Sequence, residues 1–469
     1  MRSLIDDLEQ LLPGRVLGPG APRFDRYRRD MVSDRQLHRD PAAVVFPEST
    51  EDAVALLRYA DRHGVPLTPR GAASGLAGGA IAASGGVVVS TERMNRIVEI
   101  DRSNMAAIVD PGVKTAELDD QLAPLRLFFA GYPMSEEICT IGGNVATNAG
   151  GGRAVRYGVT GAHVLGLHVV LAGGEVLHLG GKRLKDVTGL NLLPLFVGSE
   201  GTLGLITQIT LRLTPRPGAR SALLAAFASH AAATAAVVAL RQLGSDVPSA
   251  IEYIDGRTAT ATAAANTALA FDNLDPHTAA LLLIEADGRD RNDAGASVQL
   301  YRETIAQQGA TIVRSAVTDT DNEVIWRFRK AVPWWVKRRA GAFHSVEDVV
   351  VPPAAVPDLI ERVYALDTPL EYAVFGHAGD GNFHINPMKP PEVPDEQWEP
   401  ARDTFLRQLY AIAIELGGTI SGEHGIGRKR TTYAAYATGP EVAAAAQAVK
   451  TALDPNGIMN PGVLLATAR

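Results

Sequence analysis

Two histidines, His377 and His384, flank an Asp380-Gly381 pair in the run FGHAGDGNFHINP. Asp-Gly is a strong two-residue hairpin signal. With that turn Ala378 faces Phe383 and His377 faces His384. Directly opposed side chains on one sheet face have Cβ atoms roughly 5 Å apart. Two imidazoles at that spacing can share one divalent ion, with Asn382 and Asn386 as polar support. Further along, SGEHGIG offers Glu423 as a third ligand and His424 as a base in the same site. Two imidazoles and a carboxylate with open positions suit zinc, or another divalent ion such as manganese or iron. His277 and His344 lack such company and read as structural histidines.

A second kind of chemistry is written in glycine. Four stretches are rich in it: Arg70–Gly79, Ile141–Gly152, Gly198–Gly204 and Gly422–Gly427. Glycine lets a backbone approach a ligand closely and aim successive N–H groups at it, which suits a diphosphate. Any one stretch alone could be a hairpin turn; four together point to a ligand. No G-x-G-x-x-G sits between a strand and a helix, and no Walker A sequence is present, so Rossmann dehydrogenases and P-loop NTPases are excluded.

These residues need elements to hold them. From about Pro41 to Pro217, short β-branched runs alternate with glycine turns. The strand-like runs are Ala42–Pro47, Val65–Thr68, Gly86–Ser90, Ile97–Asp101, Ala106–Pro111, Val164–Leu171 and Gly204–Leu213. Between the first two, Glu51–Gly64 has helical periodicity and a glycine stop. The segment Thr214–Ala219 reads as a linker. Beyond it come strands at Ala222–Ala226, Leu281–Glu285 and Thr311–Val313, a helix at Ala231–Ala239, and a largely helical reading from about Glu396.

With 46% hydrophobic and 21% charged residues, the 469-residue chain reads as globular and long enough for two or three domains. A net charge of −7 argues against a nucleic-acid partner. The single cysteine, Cys139, cannot by itself hold an iron–sulfur cluster or form an internal disulfide, so any electron transfer must use an organic cofactor or a partner. No apolar run reaches the roughly 20 residues of a membrane span, and the N-terminus reads as an amphipathic helix, not a signal peptide. The expected location is the cytoplasm.

The run VVFPESTEDAVALLRYADRHGVPLTPRGAASGLAGGA, with CTIGGNVATNAGGGRAVRYG and LFVGSEGTLGLITQITLRL, resembles the flavin-binding domain of the vanillyl-alcohol oxidase/p-cresol methylhydroxylase type. FGHAGDGNFHINP, SGEHGIGRKR and LDPNGIMNPG resemble the C-terminal half of the FAD-linked 2-hydroxyacid dehydrogenases. That branch includes the glycolate oxidase flavin subunit, D-lactate dehydrogenases and D-2-hydroxyglutarate dehydrogenase. The resemblance covers about Pro41 to Gly462.

It implies an α+β fold: an FAD-binding domain over 1–217 (core about 41–217), a substrate cap over 218–410 carrying the metal-site histidines, and a C-terminal helical segment over 411–469 that returns to the flavin. It implies FAD contacts from Pro69, Arg70, Gly71, Ala72, Ala73, Ser74, Gly75 and Leu76 at the pyrophosphate. Ser135, Thr140, Ile141, Gly142, Gly143 and Asn144 would follow the isoalloxazine and ribityl side, with Ala149, Gly150, Tyr157 and Gly158 completing that wall. Glu200, Gly201, Gly204 and Ile206 would line the adenosine end. Ser74 stands where covalent-flavin members carry a histidine, which implies noncovalent FAD. Glu136 stands where the glycolate oxidase pattern has a second serine.

The resemblance also makes His377, His384 and Glu423 metal ligands. His424 becomes the general base and Arg329, in IWRFRKAVP, the clamp for a substrate carboxylate, with Lys330 its rival. The lysine that the D-2-hydroxyglutarate branch carries before EDVVVPP is absent, since Ser345, Val346 and Glu347 occupy that stretch. A small D-2-hydroxyacid such as D-lactate or glycolate is therefore the implied substrate, oxidised by hydride transfer to flavin N5. Electrons would pass to an electron-transfer protein, a quinone or oxygen, which could bring the protein to a membrane surface. A homodimer and a complex subunit are both compatible with this. The competing readings are a catalytically dead FAD-binding accessory subunit and an alkyl-dihydroxyacetone-phosphate synthase-like flavin transferase.

Overall fold

The computed structural model describes residues 3–465 apart from 267–270, 272, 273, 276 and 317. The chain divides into two units. One comprises Met1–Gly150, Gly158–Arg216 and Glu423–Arg469; the other comprises Gly151–Tyr157 and Pro217–Gly422.

The first unit is built on two sheets. Strands β1 (Val16–Leu17), β2 (Ala43–Val45), β3 (Leu67–Arg70) and β4 (Val87–Ser90) pair in the order β1-β2-β4-β3, with β2 and β3 parallel to β4. The crossover from β2 to β3 is the helix Thr50–His63. The side chain of Ser49 accepts from Asp52 N–H at its start, and Gly64, at φ 63°, ends it in the left-handed conformation. Its apolar stripe, Ala53, Leu56, Leu57 and Ala60, packs with Leu67, Val87 and Val89. The second sheet uses β5 (Ile97–Asp101), β6 (Ala106–Val109), β8 (Val164–Val170), β9 (Val176–Gly180) and β10 (Leu205–Arg212), in the order β5-β6-β10-β8-β9, all antiparallel. Between them β7 (Leu127–Phe128) pairs with β11 (Thr214–Pro215). The stretch expected as a linker thus begins as a strand, and the unit boundary falls at Arg216/Pro217.

The second unit holds one antiparallel sheet. Its strands are β12 (Ala219–Phe227), β13 (Ala250–Asp255), β14 (Ala280–Gly288), β15 (Thr311–Ser315), β16 (Val349–Val350), β17 (Glu371–His377) and β18 (Asn382–Met388). They are ordered β15-β12-β14-β13-β17-β18-β16. The central strands are buried at nearly every position, as expected of a sheet covered on both faces. The helix Asp319–Ala340 lays Ile325, Phe328, Val332 and Val336, a 3–4–4 spacing, onto Ala222, Leu224, Ile254, Leu283 and Phe375. Trp335 joins that core at its edge, whereas Trp334 is exposed. Among the described residues no helix is long and apolar enough to cross a membrane.

Candidate active site

The second unit gathers its chemistry on the sheet face that meets the helix Asp319–Ala340. Pairing of Tyr253 with Gly376 sets Glu252 directly opposite His377, and His377 in turn pairs with Asn382. One step away along the strands, Phe375 pairs with His384, and the β16–β18 register sets Asp348 opposite His384. The two histidines are therefore diagonal neighbours, not the opposed pair expected from a two-residue Asp380-Gly381 turn. The connection is longer: Ala378–Asp380 form a 3-10 turn and Gly381 closes it at φ 82°. A Cβ on Gly381 would come within 2.0 Å of Val351 O, so close backbone approach fixes this turn. The diagonal still brings the imidazoles together, with ring centroids 5.2 Å apart and planes at 87°.

Both histidines are buried; a carboxylate holds His377, and another lies near His384. His377 Nδ1 lies 2.6 Å from Glu252 Oε1. Because a carboxylate only accepts, Nδ1 carries the proton and Nε2 keeps the ring's lone pair. The second oxygen of Glu252 accepts from Arg329 Nε at 2.7 Å, and the Arg329 guanidinium lies 5.0 Å from the Phe375 ring centroid. Arg329 is only 1% exposed, so it belongs to this interior row and not to a solvated basic helix face. His384 Nδ1 lies 3.8 Å from Asp348 Oδ1. Asp348 is braced by Asn382 Nδ2 (2.7 Å), Ser421 Oγ (2.9 Å) and the Gly422 N–H (3.0 Å). The chain continues from Gly422 straight into Glu423 and His424.

The same face carries a third buried acid. Glu285 is 0% exposed and receives Arg153 Nε (2.7 Å), Arg153 Nη2 (3.1 Å) and Trp326 Nε1 (2.6 Å). Burial pushes its pKa up, but Arg153 and Arg220 outweigh that and hold it at about 2. Tyr157, expected on the flavin wall, donates its hydroxyl to Asp287 on the same strand. Glu252, Glu285 and Asp348 were not singled out by the sequence. The one available signal was an acid inside an apolar strand, as at Glu252 in AIEYID.

The first unit brings its glycine stretches together through backbone. Thr140 caps the helix Ile141–Thr147, and a Cβ on Gly71 would meet its Oγ1 at 2.4 Å. The glycine-rich stretch Ile141–Gly152 thus begins as a helix. Gly142 is needed because Pro111 lies against it, with a Cβ contact of 2.5 Å. Glu200, at φ 51°, turns its buried carboxylate to the Ile426 and Gly427 N–H groups, each at 2.8 Å. Burial pushes it up to about 7, against those two N–H groups and Arg430. Gly427 presses on Ala77, whose carbonyl accepts from Arg428 and Lys429 N–H.

The remaining candidates differ in exposure. Ala72 and Gly75 are exposed, while Ala73, Ser74 and Leu76 are half-buried. A cleft of about 450 Å³ opens beside Arg70, Gly71, Ala72 and Thr140. Arg70 is occupied as a brace, donating to the carbonyls of Arg26, Arg29 and Ala80. Ile206 is buried in the sheet core, and Gly204 packs against Val169. Asn144 donates to Thr115 Oγ1 at 2.9 Å. Glu423 Oε2 lies against Gly150, where a Cβ would approach to 3.3 Å, and Glu423 Oε1 is 3.4 Å from His424 Nε2.

Residues 41–180 match the FAD binding domain family, and residues 216–464 match the FAD linked oxidases, C-terminal domain. The chain belongs to the FAD-linked oxidases. It is 34% identical over 431 residues to the glycolate oxidase subunit GlcD of Bacillus subtilis, covering 91% of this chain and 89% of that one. It is 32% identical over 468 residues to a D-lactate dehydrogenase of Anaerostipes hadrus, covering 98% and 96%. It is 31% identical over 475 residues to the D-2-hydroxyglutarate dehydrogenase of Stutzerimonas stutzeri, covering 99% of each. Among solved structures, p-cresol methylhydroxylase with substrate bound shares the fold, with a TM-score of 0.77 at 19% identity over 98% of this chain and 95% of that one.

Proposed function

We propose that this enzyme oxidises a small D-2-hydroxyacid, of the D-lactate or glycolate kind, to the 2-oxoacid with noncovalent FAD and a divalent metal, and hands the electrons to an external acceptor. The observation that carries this reading is the buried row Glu252–His377–Asn382 with His384–Asp348 beside it. Side chains of this type, removed from water, suit a divalent cation and a small anion better than they suit a folding core.

In this reading His377, His384 and Glu423 hold the metal, and Asp348 adds an oxygen donor that the sequence did not disclose. The support for Glu423 is local: Asp348 fixes the Gly422 N–H, and Glu423 is the next residue. Bound FAD would accept hydride, and a bound divalent ion would act as a Lewis acid on the substrate hydroxyl. The protein's own residues do the rest. Arg329 pairs with the substrate carboxylate through its Nη groups, since its Nε is held by Glu252. His424 takes the hydroxyl proton, a task imidazole performs well near neutral pH. Ser345, Val346 and Glu347 offer no second cation, which favours a substrate with one carboxylate; Glu347 is itself engaged by Ser345 and Tyr410, at 2.5 Å each.

The FAD diphosphate would lie on the Gly71–Gly75 stretch. With Ser74 in place of a histidine, acid precipitation should release the yellow chromophore into the supernatant. The decisive test is an anaerobic screen in which D- and L-2-hydroxyacids are added to the purified flavoprotein with its metal content measured. Bleaching by D-lactate or glycolate with stoichiometric metal is expected. Bleaching by none, or full activity without metal, overturns the proposal.

A further inference from the structure

Glu252 stands outside every role described so far, yet its two oxygens hold two of the proposed functional residues. Oε1 meets His377 Nδ1 at 2.6 Å, and Oε2 accepts from Arg329 Nε at 2.7 Å. It is fully buried, and the space around it is tight: a Cβ on Gly152 would come within 2.6 Å of Oε1 and 3.3 Å of Trp326. The register reinforces the contact, because Glu252 and His377 are directly opposed on adjacent strands. Burying a carboxylate carries a cost that its partners must offset. A side chain that served only to fill this space would be apolar, like Ile254 on the same face.

We propose that Glu252 is a positioning residue that sets the anion clamp and the metal ligand with one carboxylate. On His377 it selects the tautomer with the proton on Nδ1, leaving the Nε2 lone pair for a cation. On Arg329 it occupies Nε, so that the two Nη groups form the edge presented to a substrate carboxylate. Carboxylates that orient ligating histidines in this way typically account for 10–100-fold in metal affinity. The inference rests on the metal reading above, but the tautomer claim stands apart from it and can be tested separately.

The test uses the FAD-loaded, full-length protein with histidine ¹⁵N labelling, and E252Q as the variant. E252Q leaves Arg329 buried without its counter-charge, so the double variant E252Q/R329M, which removes both charges, is measured beside it. In wild type the ¹⁵N shifts of His377, assigned by loss in His377→Asn, should report an Nδ1–H ring. Zinc alone, titrated against a competing chelator, should bind 10–100-fold more weakly to both variants. FAD content should be unchanged, and E252D should recover part of the affinity. A rise in KM for the 2-hydroxyacid in E252Q with a smaller fall in kcat would report the Arg329 arm. If His377 carries its proton on Nε2 in wild type, or if zinc affinity is equal in wild type and both variants, the proposal is overturned. If wild type binds no zinc at all while His377 is an Nδ1–H ring, the metal reading fails and the positioning of the histidine stands.

Discussion

Two buried carboxylates, one in each unit, are handled in opposite ways. Glu200 in the first unit is met chiefly by backbone: the Ile426 and Gly427 N–H groups accompany it, with Arg430 farther off. Burial wins, and its pKa stands at about 7. Glu285 in the second unit is met by Arg153 and Trp326, with Arg220 adding its charge, and its pKa is held at about 2 despite complete burial. The difference separates two styles of building a site. The first unit shapes its glycine stretches with amide groups and close contacts, whereas the second fixes full charges on a rigid sheet. An added Cβ should therefore injure the glycine contacts around Glu200, and a removed charge should injure the cluster around Glu285.

His424 is the sharpest exception, the proposed general base set among the first unit's glycines. Loss of a general base typically costs roughly 10²–10⁴-fold in rate. His424→Ala should therefore slow anaerobic flavin reduction by that range at saturating substrate, with near-normal binding measured by substrate titration. A rate within a factor of three of wild type would remove it from the mechanism.

Arg153→Met tests the charge style directly. Removing one partner of a buried pair costs about 3–5 kcal/mol. Chemical denaturation should show a loss of that order, and Glu285→Gln in the same chain should recover much of it. A loss of under ~1 kcal/mol would mean that Arg153 behaves as a surface charge.

Gly427→Ala tests the backbone style. Its φ is 56° and the new Cβ would lie 2.0 Å from Ala77 O. Left-handed strain plus this clash should cost about 1–3 kcal/mol, seen as a lower melting temperature and faster FAD release. The control Gly75→Ala, where nothing lies within 4 Å, should be nearly silent in stability.

The pH dependence of stability tests the same two carboxylates. Glu200 has a folded pKa raised from 4.5 to about 7, so the folded state binds the extra proton. Its contribution is present below pH 4.5 and fades as pH rises to about 7. Glu285 is lowered from 4.5 to about 2, so its contribution is present above pH 4.5 and is lost as pH falls towards 2. Stability curves of Glu200→Gln and Glu285→Gln should flatten in the upper and lower windows respectively. Flattening in the opposite windows would reverse the assignment of the two styles.

Much of the architecture was legible before any coordinates. Strand Ile97–Asp101 appears with the expected ends, and the helix before Gly64 with its expected stop, because period, cap and propensity are local properties. The family was legible too, since long motifs in a fixed order carry it. The hairpin register was not. Asp380-Gly381 permits a two-residue turn, but the approach of Gly381 to Val351 selects a longer one, and that shift made His377 and His384 diagonal.

Sequence by itself determined which residue types were available: two histidines near one turn, Glu423 beside His424, and four glycine stretches. Only tertiary structure decided their company. Glu252 is 125 residues from His377, and Glu285 is 132 residues from Arg153. No local pattern encodes which buried acid meets which base, because that choice is made when strands distant in the chain pair and their side chains are shut away from water together.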